Sequence, residues 1–157
     1  MKITITKPEK LISIIKANCE LNTEGSITFE KDNVYIRMVD TSGVMLLKTL
    51  IDKSCFDVYD VDSTVSFTIN FDIVRKIMNS MKTGFTIEDS DNELIFSSST
   101  KKLKRTIVKY AAEKDERGDP PVPSVDFIHV ELDELKSIVS DLKEVGEIAS
   151  VTTGKSL

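Results

Sequence analysis

Residues 110–127 read YAAEKDERGDPPVPSVDF. The stretch is charged, then proline-rich, then apolar, so it reads as a connector and not as part of a core. Proline fixes φ near −65° and removes a backbone donor, which keeps such a segment extended and unfit for a helix interior or a central strand. What it joins decides the fold. A long patterned region precedes it, and only a short one follows.

On the N-terminal side, Lys2-Ile3-Thr4-Ile5-Thr6 alternates and predicts a strand. Pro8 suits the first turn of a helix, where a missing N–H costs nothing. Leu11, Ile14, Ile15 and Asn18 then share one helical face, with Ile12 and Cys19 at its margin. After Gly25, two alternating runs at 26–30 and 34–38 flank Lys31-Asp32-Asn33, a hairpin pattern. The runs 44–51 and 65–69 predict further strands. A second helix spans 71–81, with Ile73, Val74, Ile77, Met78 and Met81 as its apolar stripe. Short strands at 85–87, 94–96 and 103–110 follow, the first two joined by the turn Asp89-Ser90-Asp91-Asn92. This first region is an α+β unit: mostly antiparallel sheet, with two helices placed symmetrically in it.

Beyond the connector the pattern restarts. Residues 127–132 predict a strand, and Asp133 caps a helix carrying Leu135, Ile138, Val139 and Leu142 inward. Gly146 ends it, and Ala149-Ser150-Val151-Thr152 begins another strand. An offset of 124 residues lays Leu11-Ile12-Ser13-Ile14-Ile15 on Leu135-Lys136-Ser137-Ile138-Val139, and Ser26-Ile27-Thr28 on Ser150-Val151-Thr152, without a gap. Two chance strand–helix–strand units would look similar, but the shared register favours an internal repeat. The expected organisation is a first domain at 1–110, a connecting loop at 111–126, and the start of a second copy at 127–157.

Composition narrows the function. The chain has 157 residues, 40% hydrophobic and 30% charged, which fits a folded water-soluble domain. No apolar run approaches the ~20 residues that span a bilayer, and the N-terminus lacks a signal-peptide core, so a cytosolic or nuclear protein without membrane contact is expected. Cys19 and Cys55 form no Cys-x-x-Cys pair and read as free, partly buried thiols. His129, the one histidine, has no nucleophile or carboxylate arrangement near it in sequence. No zinc spacing, phosphate loop or dinucleotide fingerprint is present, so neither an enzyme nor a metal or other cofactor is expected. Net charge is −5, which argues against a simple nucleic-acid binder but leaves room for a basic patch on an acidic body.

Several segments carry a resemblance. Val39-Asp40-Thr41-Ser42-Gly43-Val44, Phe56-Asp57-Val58-Tyr59, Asn70-Phe71 with Lys76-Ile77, Pro121-Val122-Pro123 with Phe127, and Asp141-Leu142 with Gly146-Glu147 stand in order along nearly the whole chain. In that order they resemble the sliding clamps of the proliferating cell nuclear antigen type. Family members normally continue for about another hundred residues, so this chain is expected to be either a fragment or an unusually short clamp.

The resemblance implies a mechanism without chemistry: a homo- or hetero-trimeric ring around duplex DNA that serves as a polymerase processivity factor. It also implies docking of a DNA polymerase, clamp loader, nuclease or ligase through short peptides. The DNA-facing residues it implies are Lys10, Lys16, Arg75, Lys76, Asn79 and Lys82. The peptide-docking residues are Val39, Gly43, Val44 and Leu46 from the sheet, with Pro120, Val122, Pro123 and Phe127 from the connector. The subunit edge is the strand 103–110, represented by Leu103, Arg105, Ile107 and Lys109. Glu9, Glu20, Asp141 and Glu144 make the helices less basic than the family pattern. Localisation would be cytoplasmic, at the nucleoid, in an archaeal or viral setting and nuclear in a eukaryotic one. The competing expectations are a clamp-derived adaptor or competitor that does not encircle DNA, and a checkpoint-type clamp subunit.

Overall fold

Alternation of buried and more exposed residues marks the strands Lys2–Ile5, Glu24–Phe29, Asn33–Val39, Val65–Asn70, Phe85–Asp89 and Glu93–Ser98. The computed structural model describes residues 1–98, 100, 102–112 and 131–145. The chain divides into two units, Met1–Asp115 and Glu116–Leu157. In the first, β1 (Lys2–Ile5) leads to α1 (Glu9–Leu21), then β2 (Glu24–Phe29), β3 (Asn33–Val39) and β4 (Leu46–Asp52). A 3-10 turn at Lys53–Cys55 precedes β5 (Val58–Asp60) and β6 (Val65–Asn70). Next come α2 (Phe71–Ser80), β7 (Phe85–Asp89), β8 (Glu93–Ser98), β9 (Lys104–Val108) and β10 (Tyr110–Ala111). The described part of the second unit is α3 (Leu132–Val145).

The strands form two five-stranded antiparallel sheets, ordered β5-β1-β7-β8-β9 and β10-β6-β2-β3-β4. Exchanging β1 with β6, β2 with β7, β3 with β8, β4 with β9 and β5 with β10 turns one order into the other. The first unit is therefore two strand–helix–four-strand halves. Each half gives its first strand to the other's sheet: β1 pairs with β7, and β6 with β2. Neither half closes a sheet alone, which welds the two into one core.

That core lies under both helices. Ile3 and Ile5 on β1, Phe67 and Ile69 on β6, Ile36 and Met38 on β3, and Leu94 and Phe96 on β8 are all buried. Leu11, Ile15 and Asn18 enter it from α1, and Phe71, Val74, Ile77 and Met78 from α2. Asn18 is the one buried polar residue among those described. Its amide donates to Ile14 O at 2.9 Å and to Thr49 Oγ1 at 3.2 Å, which ties α1 to β4. Gly25 allows a close approach: a Cβ there would lie 2.0 Å from Met38 Sδ and 3.0 Å from Arg37 O.

Several expectations need correction. Ile73 is 46% exposed, and Phe71, fully buried, takes its place in the stripe of α2. Each helical residue turns about 100°, so Phe71, Ile77 and Met78 stay within about 60° of Val74 while Ile73 falls about 100° away. The strand expected from residue 44 begins at Leu46, because Val44 and Met45 belong to a loop. Pro8 stands just before α1 as its cap, and Ile12 N donates to Pro8 O at 2.8 Å. The expected strand 103–110 is split: β9 stays in one sheet, and Tyr110–Ala111 pairs with β6 in the other. β5 has no counterpart in the sequence reading. Asp133 lies inside the first turn of α3 and does not cap it, and Leu132 is helical rather than extended. Leu135, Ile138, Val139 and Leu142 are 40–46% exposed. Cys55 is exposed, whereas Cys19 is half-buried, and burial raises its thiol pKa. The strand at 149–152, most of that at 127–132, and His129 lie outside the described residues.

Candidate nucleic-acid interface and docking surface

α1 and α2 pack side by side. Their solvent sides hold the residues singled out for DNA. Lys10 and Lys16 are exposed on α1, Lys76 and Asn79 on α2, and Lys82 just beyond it. α2 forms where it does because Asn70 caps it: Asn70 Oδ1 accepts from Ile73 N at 3.0 Å.

Arg75 is only half exposed, and its charge is answered within the helix. Its Nη2 and Nε donate to Asp72 Oδ1 at 2.5 and 3.2 Å. Lys76 Nζ lies 2.6 Å from Asp72 Oδ2. An acid three and four residues ahead of two cations is a favourable helical arrangement, and Asp72 also sits in the first turn, where the helix dipole favours a negative charge. Hydrogen bonds from Lys76 and then Arg75 hold the Asp72 carboxyl below its ordinary range, and the same bond raises Arg75. Counting cations alone had missed Asp72; the Asp-x-x-Arg-Lys spacing was the available signal.

On the outer side, β3 and β4 bracket an apolar loop. Val39 and Leu46 are half-buried and face each other in register. Gly43 adopts φ of 72°, in the left-handed region that only glycine enters freely. Val44 is 87% exposed. The loop is held from inside by Asp40. Its Oδ1 accepts from Met45 N at 2.7 Å, its Oδ2 accepts from Ser42 N and the Ser42 hydroxyl, and Gly43 N donates to Asp40 O at 3.0 Å. The Ser42 hydroxyl first, then Met45 N, lower the Asp40 pKa.

Two apolar residues of this face were not singled out from the sequence: Met45, and Leu50, which lies opposite Tyr35. Reading 44–51 as one apolar run hid the alternation of Leu46, Lys48 and Leu50 on the outer face. Pro120, Val122, Pro123 and Phe127 lie outside the described residues.

β9 is the last strand of its sheet. Arg105 is exposed on it and Leu103 half-buried beside it, while Ile107 points into the core at 6% exposure. Lys109 pairs with Asp89 and lies 5.2 Å from the centre of the Phe67 ring. No group of three His, Cys, Asp or Glu among the described residues has the geometry to hold a metal ion, and no helix among them is long and apolar enough to cross a membrane.

Two five-stranded sheets related by strand exchange, with paired helices, are a specific architecture. The family model described as the N-terminal domain of proliferating cell nuclear antigen matches residues 4–115. The chain belongs to the proliferating cell nuclear antigen family. It is similar to the DNA polymerase sliding clamp of Nitrosopumilus maritimus, 24% identical over 155 residues, covering 94% of this chain and 60% of the relative. It is also similar to the DNA polymerase sliding clamp of Cenarchaeum symbiosum, 25% identical over 150 residues, covering 91% of this chain and 58% of the relative. The chain thus spans about three fifths of the length of these curated relatives.

Solved PCNA structures share the fold. The Thermococcus kodakaraensis protein aligns with a TM-score of 0.66 at 16% identity, over 78% of this chain and 51% of that one. In the PCNA2–PCNA3 complex of Sulfolobus tokodaii the values are 0.70 and 15%, over 93% and 61%. PCNA proteins are sliding clamps, DNA polymerase processivity factors that are not themselves catalysts.

Proposed function

We propose that this chain acts as a sliding clamp that surrounds duplex DNA and carries replication and repair proteins on its outer face. The observation that carries the reading is the α1–α2 layer of a PCNA-type unit, with Lys10, Lys16, Lys76 and Lys82 open to solvent. Cations on exposed helix positions attract phosphates without reading base edges, which is what sliding requires. In this reading the backbone edge of β9 joins a neighbouring subunit and Arg105 flanks the contact. The segment 127–157 belongs to a second clamp domain, reached through the connector 111–126, and the assembly is a homo- or hetero-trimer. It would work at the nucleoid or in the nucleus.

The loop from Val39 to Leu46, with the connector residues Pro120, Val122, Pro123 and Phe127, would form the groove for short peptides of a polymerase, clamp loader, nuclease or ligase. A helical turn of such a peptide would bury its apolar side chains on Val44 and Leu46.

The deciding experiment is topological. The protein is bound to closed circular DNA, and half of the sample is then linearised. A clamp stays on the circles and leaves the linear molecules through their ends. Equal retention on both forms would overturn the encircling reading and favour a clamp-derived adaptor.

A further inference from the structure

The two cations of α2 share a single anion. Arg75 approaches Asp72 Oδ1 and Lys76 approaches Asp72 Oδ2, so each carboxylate oxygen holds a different cation. The two non-bridging oxygens of a phosphodiester offer cations the same kind of partner. Asp72 is 26% exposed, less than Arg75 at 33% or Lys76 at 68%. Lys82 has no such carboxylate among the described residues.

Resting on the reading of α1 and α2 as the DNA-facing layer, we propose that Asp72 is a built-in phosphate surrogate that loosens the grip of α2 on duplex DNA. It occupies Arg75 and Lys76 when no phosphate is in reach, and a phosphate must displace or share it when one arrives. The three charges sum to +1, so the pair contributes one effective cation instead of two. Because Asp72 is tethered next to both cations, a departing phosphate always has a replacement. Contacts then exchange without a bare cation in between, and no position along the duplex holds the protein for long. Asp72 stays ionised at neutral pH, since both cations favour its charged form.

The surrogate role predicts a change in salt dependence, which a purely helix-stabilising role would not move. Affinity for a random-sequence duplex is measured by fluorescence anisotropy on the full chain. Asp72→Asn keeps an acceptor oxygen and removes the charge; Asp72→Ser is the second variant should the first fold poorly, with folding checked by circular dichroism. Each phosphate neutralised on B-DNA contributes about 0.9 to the log–log salt slope, so freeing one cation raises the ratio of Kd at about 200 mM salt to that at about 50 mM by about three- to fourfold. Tighter binding at the lower salt accompanies it.

Lys82→Ala, run in parallel, lowers the slope if this helix touches DNA at all. A lower slope for Lys82→Ala with a steeper slope for either Asp72 variant supports the proposal. A lower slope for Lys82→Ala with unchanged or weaker binding by the Asp72 variants overturns the surrogate and leaves the DNA-facing layer standing. No change from any variant overturns both.

Discussion

Lys53 and Lys109 occupy equivalent places in the two halves of the first unit. Each stands two residues after a buried isoleucine of an equivalent sheet-edge strand, Ile51 of β4 or Ile107 of β9. The backbone N–H of Lys53 donates to Asp32 O at 2.9 Å, and that of Lys109 donates to Asn92 O at 3.0 Å. Each ammonium then pairs with a carboxylate of the same hairpin, Asp32 for Lys53 and Asp89 for Lys109. Thus each half closes by strapping its outgoing chain onto its own hairpin. The environments differ: the Lys53 side chain is 53% exposed, whereas that of Lys109 is 11% exposed and lies against the Phe67 ring.

That difference predicts unequal costs. Lys109→Met leaves Asp89 without its partner in a mostly buried place and should cost about 1–3 kcal/mol. Lys53→Met breaks a solvent-screened pair and should leave the urea midpoint unchanged within error. Urea unfolding of both variants followed by circular dichroism is the check. Equal losses would mean the two straps are equivalent in strength as well as in position.

The strands and α1 were legible because burial in an antiparallel sheet leaves a period of two, and burial of one helix face leaves a period near 3.6. Ile3 and Ile5, Val34 and Ile36, and Leu11 with Ile15 and Asn18 all fall where those periods put them. The strand exchange was not legible, since it depends on which partner β1 chooses and not on any residue within it. β5 was invisible for a related reason. Its three residues become a strand by pairing with β1, Ile3 opposite Tyr59, a contact remote in sequence. The site was half legible: its cations and the exposed Val44 were readable as residue types. Asp72 was overlooked because its effect lies in pairing, and Leu50 because one apolar run conceals which face each residue takes.

Gly25 predicts a paired rescue. Gly25→Ala places a methyl against Met38 Sδ and close to Arg37 O, and Met38 is fully buried with little room to move. Overpacking of this kind should cost about 1–3 kcal/mol. Gly25→Ala with Met38→Ala should recover part of the loss relative to the sum of the single variants, a coupling that a double-mutant cycle in urea measures. Strict additivity would place the strain on the Arg37 carbonyl instead.

Tyr59 predicts an alkaline limit. Its hydroxyl donates toward Glu30 O and Asn33 O, both at 2.6 Å, which fastens β5 to the β2–β3 hairpin. Burial pushes its pKa up to about 12. Because the folded state favours the protonated phenol, this contribution is complete below the unfolded value of about 10 and fades as pH rises toward the folded value. Tyr59→Phe should lower thermal stability at pH 8 and flatten its decline above about pH 10. A parent protein whose melting temperature falls just as steeply as the variant's in that range would contradict it.

Asp40 and Val44 separate holding the docking loop from contacting what docks. Val44→Glu puts a charge on the most exposed apolar residue of the face. Losing the burial of one valine, worth about 1.5–3 kcal/mol, weakens binding roughly ten- to hundredfold. The probe is a synthetic peptide with one apolar helical turn, titrated by calorimetry. Asp40→Ala touches no ligand but releases Met45 N and the Ser42 hydroxyl, so it weakens the same peptide by loosening the loop. Asp40→Asn, which keeps an acceptor, should recover much of the affinity. The folded Asp40 pKa is depressed, so its hold on the loop is complete above the unfolded value of about 3.9 and is lost as pH falls through the lower folded value. Peptide affinity of the parent should therefore stay flat from pH 8 down to about 5. A fall in affinity within that window, abolished by Asp40→Asn, would mean that Asp40 titrates near neutrality and that the loop is held differently.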